Sequence, residues 1–203
     1  MRKLRPDFPG GGVPGVPAQP GERDALRRGY AGRGDLLMAR RITRMALLTA
    51  AGLATAWLEA MLMPSLGVPG VKPGLANIAT LTALYVMGWR SAAAVCVMRV
   101  ILANALFGSF SAAVYALAGG VCALCVMALL KRTGLFSETG VSAAGGCMHN
   151  AAQLCVAAAV TRAPGIFAYM PALVIAGVVA GIITGAAARP VIRLMKRNYE
   201  KEL

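Results

Sequence analysis

Residues 166–188 read IFAYMPALVIAGVVAGIITGAAA, an apolar run without one charged side chain. A helix needs about 20 such residues to cross the hydrocarbon core of a bilayer, so this stretch reads as a membrane span. The same texture continues outward from it. From Ile42 onward only 16 of 162 residues are Asp, Glu, Lys or Arg, and long apolar segments alternate with Gly/Pro or charged punctuation. Six spans are expected, at 42–63, 74–89, 91–107, 111–130, 141–161 and 166–188. The expected fold is therefore an all-α integral membrane bundle of six transmembrane helices. The first span follows Arg40, Arg41 and Arg44 as a signal peptide would. Glu59 and Pro64 at the cleavage position, with five further spans behind them, argue for a retained anchor.

Composition agrees. The chain has 203 residues, 58% hydrophobic and 14% charged, yet carries a formal charge of +13. A soluble domain has roughly a quarter charged residues, and a nucleic-acid binder would explain the charge but not a mean hydropathy of +0.64. No nucleic-acid partner is expected. The charge divides near residue 41. Residues 1–41 hold nine Lys/Arg, four Asp/Glu, eight Gly and five Pro without apolar periodicity, the composition of a disordered basic tail. Met38-Ala39-Arg40-Arg41 has the form of a translation start, which would leave residues 1–37 untranslated. The expected domains are this tail at 1–41, a membrane domain at 42–195 and a cytoplasmic tail at 196–203.

The basic residues set an orientation. With the N-terminus inside, the inner flanks collect Arg40, Arg41, Arg44, Arg90, Lys131, Arg132, Arg189, Arg193, Lys196, Arg197 and Lys201. The outer loops receive only Lys72 and Arg162. Cytoplasmic loops favour Lys and Arg, so the expectation is N-in/C-in, multi-pass, in a bacterial cytoplasmic membrane. The lipid bilayer is then the first partner.

Polar side chains inside spans are costly unless paired, so each asks for a reason. Arg99 lies eight residues into the third expected span, about 12 Å at 1.5 Å per residue and hence near the midplane. Asn104 follows toward the outside. Glu59 sits near the outer end of the first span, Lys72 in the outer loop and Asn77 near the outer start of the second. His149, Asn150 and Gln153 share a face of the fifth, by spacings of three and four, and Tyr115 and Tyr169 fall in the same outer half. Two readings stand side by side. Amides and histidine serve as interhelical hydrogen-bond partners, and Arg99 can pair with Glu59. A pocket lined by Lys72, Asn77, Arg99, Asn104, His149, Asn150 and Gln153 would instead suit a small polar or anionic solute. One histidine is too few for a metal site, and no cofactor is expected.

Small residues form two stripes: Ala46, Ala50 and Ala54 on the first span, Gly177, Gly181 and Gly185 on the sixth. Such stripes let helices approach closely. Internal packing is the reading for the sixth span, and a docking face for another subunit is the alternative for the first. The five cysteines all fall in spans, where they act as small hydrophobes. Cys122-x-x-Cys125 lacks the second ligand pair or βαβ context of a metal or redox motif.

An enzyme is not expected. After Asp35 the only acids are Glu59, Glu138, Glu200 and Glu202. The paired Asp-rich motifs that hold magnesium for prenyl diphosphate chemistry are missing, as is a nucleophile–base constellation. There is no Walker motif, and Gly10-Gly11-Gly12 lacks the following Gly-Lys-Ser/Thr.

Particular motifs resemble a known family. Val68-Pro69-Gly70-Val71-Lys72-Pro73-Gly74-Leu75-Ala76-Asn77-Ile78, Gly88-Trp89, Arg99, Phe107-Gly108-Ser109-Phe110 and His149-Asn150-x-x-Gln153 resemble the bacterial Gx transporter family. Its members are often labelled heptaprenyl diphosphate synthase component I. Pro73 stands where that family's loop would carry leucine. The family is in turn similar to the substrate-binding S components of energy-coupling-factor transporters. The resemblance implies a six-helix capture subunit that takes a nutrient from outside and docks on a T component driven by ATPase subunits. It implies Ala46, Ala50 and Ala54 as docking residues and the loop around Lys72 as a gate. The alternative implied by the label is a non-catalytic membrane subunit associated with heptaprenyl diphosphate synthase.

Overall fold

A computed structural model describes residues 20–62, 74 and 77–200 of the chain. Among the described residues it is all-helical: α1 (Pro20–Leu62), α2 (Asn77–Met87), α3 (Trp89–Phe107), α4 (Phe110–Thr133), α5 (Glu138–Thr161), a 3-10 segment (Pro164–Tyr169) and α6 (Met170–Glu200). The described residues up to 43 fall in one unit and those from 44 onward in another. In the first unit, residues 20–43 are helical, where composition reads as a disordered tail. Pro20 suits the first helical position, and Ala, Leu, Met and Arg among residues 25–41 are good helix formers.

In the second unit the helix ends follow ordinary capping chemistry. The Ser109 hydroxyl accepts from the Ala112 amide at 3.2 Å and Ser137 from Gly140 at 3.3 Å, starting α4 and α5. Both satisfy amides that a first turn leaves unpaired. Lys131 and Arg132 occupy the last turn of α4, where positive charge meets the negative end of the helix dipole. Gly88 alone separates α2 from α3, at φ +88°, a conformation that side chains other than glycine's rarely adopt.

Three helical stretches are long and apolar enough to cross a membrane: Trp89–Phe107, Phe110–Thr133 and Pro164–Tyr199. They mark the chain as a membrane protein. α5 is long enough, but Ser142, His149, Asn150 and Gln153 dilute its apolar character, and α1 carries Arg44 and Glu59 within its expected span. α2 has 11 residues, about 16 Å of helix, roughly half the ~30 Å core of a bilayer. It is shorter than the expected 74–89.

Many large apolar side chains face outward, while several hydroxyls are buried. Phe110, Leu106, Ile175 and Val160 are exposed, while Thr80, Thr82, Ser91, Ser142 and Thr184 are buried. Lipid is as apolar as leucine, so membrane helices associate through close packing of small residues and interhelical hydrogen bonds. The α5–α6 seam is built this way. A Cβ added at Gly146 would overlap the Gly177 carbonyl oxygen; one at Gly181 would stand 2.5 Å from the Ser142 oxygen, and one at Gly185 2.7 Å from the Thr139 Cα. The next rung is a hydrogen bond, Asn150 Nδ2 donating to the Leu173 carbonyl at 2.8 Å. Thr139, Ser142, Gly146 and Asn150 thus face Gly185, Gly181, Gly177 and Leu173 in antiparallel register. The Gly177/Gly181/Gly185 stripe is used inside the bundle.

Beside the seam, Leu81, Leu84, Val95, Cys96, Leu124, Met127, Val141 and Ile192 form the apolar core, which Leu48 of α1 joins. Cys96 is buried, whereas Cys122, Cys125 and Cys155 are exposed on helices, all as free thiols.

Gly146→Leu should break the seam, because its Cβ would meet backbone that cannot rotate away. The expected cost is about 3 kcal/mol or more, read as a large fall in melting temperature in detergent. Gly165→Ala, whose Cβ meets nothing within 4 Å, should melt like the wild type.

Candidate functional site

The seam leaves one flank of α5 turned toward α4 and the start of α2, and the polar residues gather there. A cleft of about 60 Å³ lies between α2, α4, α5 and α6, with Asn77, Ser142, His149, Asn150, Gln153 and Thr184 as its polar lining. Met127 and Ala123 of α4 and the seam glycines close its apolar side. His149 and Gln153 lie directly over Gly119 of α4, where an added Cβ would come within 3.0 Å of either side chain. A larger residue at 119 would displace both.

The short α2 brings its own start into this region. Gly74 takes φ +75°, and its carbonyl accepts from the Asn77 amide at 2.8 Å and from the Thr184 hydroxyl at 3.3 Å. Thr184 lies in the middle of α6, so the N-terminal end of α2 sits at mid-helix depth. Arg99, half-way along α3, meets the same point: its Nη2 donates to Asn77 Oδ1 at 3.1 Å. Arg99 is only 7% exposed, and its Nε has no hydrogen-bond partner. Glu59 of α1, also buried, lies within electrostatic reach of the guanidinium. A buried charge needs such company, since an isolated one costs several kcal/mol or more.

Four expected site residues thus line one cleft: Asn77, His149, Asn150 and Gln153. Arg99 stands behind Asn77 and reaches the cleft through it. Asn104 is placed differently. Its Nδ2 donates to the Val100 carbonyl of its own helix at 2.8 Å, so its amide is spent locally and does not line the cleft. Tyr115 and Tyr169 are likewise absent from the lining. Lys72 lies outside the described residues. Ala46, Ala50 and Ala54 are all exposed, on a face of α1 away from buried Leu48, Thr49 and Gly52.

Ser142 and Thr184 were missed as lining residues. Ser142 could have been found, because Ser142, Gly146 and Asn150 repeat every fourth residue like the glycines of α6. Thr184 carries no comparable signal, since its partner is a carbonyl distant in sequence.

Chemically, the cleft offers amides, two hydroxyls and an imidazole. These can orient hydrogen-bonding atoms of a small solute, with one cation held a layer behind. Among the described residues no three His, Cys, Asp or Glu side chains gather as metal ligands.

Residues 48–191 match the model of a family described as heptaprenyl diphosphate synthase component I. No curated protein and no solved structure matches the chain.

Asn150 both lines the cleft and closes the seam. Asn150→Leu should therefore lower stability by about 1–2 kcal/mol, the range of a lost interhelical hydrogen bond. Asn104→Leu, which gives up only a bond within its own helix, should lower it by less. Paired thermal melts in one detergent compare the two.

Proposed function

The chain belongs to the heptaprenyl diphosphate synthase component I family, and on that premise we propose that it is a membrane substrate-capture subunit without chemistry of its own. It binds a small polar or anionic solute from the outer side of a bacterial cytoplasmic membrane, as an S component of an energy-coupling-factor transporter does. The observation that carries the reading is the convergence of Asn77, His149, Asn150, Gln153 and Thr184 on one cleft. Asn77, His149, Asn150 and Gln153 orient the solute's polar atoms. Arg99 supplies positive potential through Asn77 and Lys72 adds to it, whereas Asn104 bonds within its own helix and does not line the cleft.

The remaining expectations join this proposal. The bundle has six membrane helices with both termini inside, and α2 crosses only part of the bilayer because its neighbours bury it. The cleft is small against the ~300–1,000 Å³ of drug-sized ligand sites. The solute is therefore small, or the cleft widens to admit it. The partner is a T component with ATPase subunits, docked on Ala46, Ala50 and Ala54. Their exposure supports this, because the comparable glycine stripe of α6 is consumed internally.

The second reading takes the family's name at its word: a membrane subunit that accompanies heptaprenyl diphosphate synthase without carrying the metal-binding aspartates. Purification of the tagged chain from its native membranes separates the two. The transport reading expects a membrane subunit with ATPases, and expects Ala50→Trp to remove about 90% of them by blocking close helix approach. Recovery of a soluble prenyl diphosphate synthase, unaffected by Ala50→Trp, would establish the second reading instead.

A further inference from the structure

One end of the 44–203 unit gathers cations on aromatic rings. Arg44 lies over Tyr199 at 4.7 Å, Arg90 over Trp89 at 5.8 Å, and both Lys131 and Lys196 over Tyr85, at 5.0 and 5.5 Å. The ends of α2, α4 and α6, the start of α3 and Arg44 of α1 supply these residues. Aromatic rings at such a level are typical of the membrane–water interface.

The Tyr85 cluster differs from the others in holding two ammonium groups on one ring. Lys131 is fixed there, because its Nζ also donates to the Leu84 carbonyl at 2.6 Å, one of the last-turn acceptors that α2 leaves open. Lys196 is exposed, and its charge acts directly against that of Lys131. Two like charges gathered on one ring repel unless an anion lies between them. Among the described residues the acid nearby is Glu138, whose charge reaches Tyr85 but whose carboxylate already pairs with Arg189 at 3.6 Å. Lys131, Lys196 and Arg189 against Glu138 leave two positive charges in excess.

The surroundings are apolar. Leu129, Leu135, Phe136 and Leu194, on the same helix ends and the turn that joins α4 to α5, are all exposed. A soluble anion would neutralise the lysines and leave those side chains in water. A phospholipid would cover both, its phosphate on the ammonium groups and its acyl chains along the leucines.

We propose that Lys131 and Lys196, with the Tyr85 ring as their floor, form a headgroup site for one anionic phospholipid. The site ties α2, α4 and α6 together at the end of the bundle opposite the start of α2. It is independent of what the cleft binds.

The test uses the full chain in nanodiscs of phosphatidylcholine mixed with phosphatidylglycerol, released into detergent and weighed by native mass spectrometry. Wild type should retain phosphatidylglycerol. Lys196→Gln, at an exposed position, should retain about fivefold less, and Lys131→Gln with Lys196→Gln at least about tenfold less, at roughly 1 kcal/mol per interfacial cation. Arg132→Gln with Arg193→Gln removes the same charge from exposed sites nearby and should retain lipid as wild type does. Unchanged retention in Lys196→Gln, or equal loss in the arginine pair, would overturn the site. Displacement of the lipid from wild type by inorganic phosphate would assign the lysines to a soluble anion and overturn the lipid proposal too.

Discussion

The backbone contact between α5 and α6 is the constraint on which the rest depends. In lipid there is no hydrophobic drive to press helices together, so the pair must be held by dispersion at short range and by hydrogen bonds. Glycines at 146, 177, 181 and 185 permit that range, because any Cβ there would meet the facing backbone. The Asn150–Leu173 bond then pins the register. With one side of α5 flattened against α6, its bulkier polar side chains have only the α4 side to occupy. That is where His149 and Gln153 lie, over Gly119. The cleft is thus a by-product of how the seam is made, and a change to the seam is a change to the cleft.

The second determinant is the length of α2. A full span would place its first residue at the bilayer surface. The eleven residues of α2 instead start beside the middle of α3 and α6, where Asn77 meets Arg99 and Gly74 meets Thr184. Helix starts carry partial positive charge, and in membrane transporters such half-length helices direct that charge at bound solutes. Here Arg99 reinforces it from behind, while Glu59 limits the charge left uncompensated. The arrangement places positive potential at the cleft without placing a bare cation in it.

Much of this was legible before any coordinates. The helices expected at 111–130 and 141–161 coincide with α4 (Phe110–Thr133) and α5 (Glu138–Thr161), and the first of them is also apolar enough to cross a membrane. The shared face of His149, Asn150 and Gln153 followed from helical spacing alone. Other features rest on information that periodicity does not carry. Asn104 looked like a site residue by depth, yet its amide returned to its own backbone, a choice made by the rotamer. The helix at residues 20–41 was hidden by glycine and proline content. The pairing of Ser142 with Gly181, or of Thr184 with Gly74, depends on which helix lies opposite, and spacing within one helix cannot supply that.

A polar cleft held behind a sealed seam makes sense if something is bound in it. Native mass spectrometry of the chain released from its own membranes asks that directly. Capture in this cleft predicts a small polar molecule bound one to one in wild type, lost in Gln153→Ala, and retained in Asn104→Leu, since the Asn104 amide bonds within its own helix and does not line the cleft. Wild type that never carries such a molecule, or carries one that Gln153→Ala holds equally well, would contradict it.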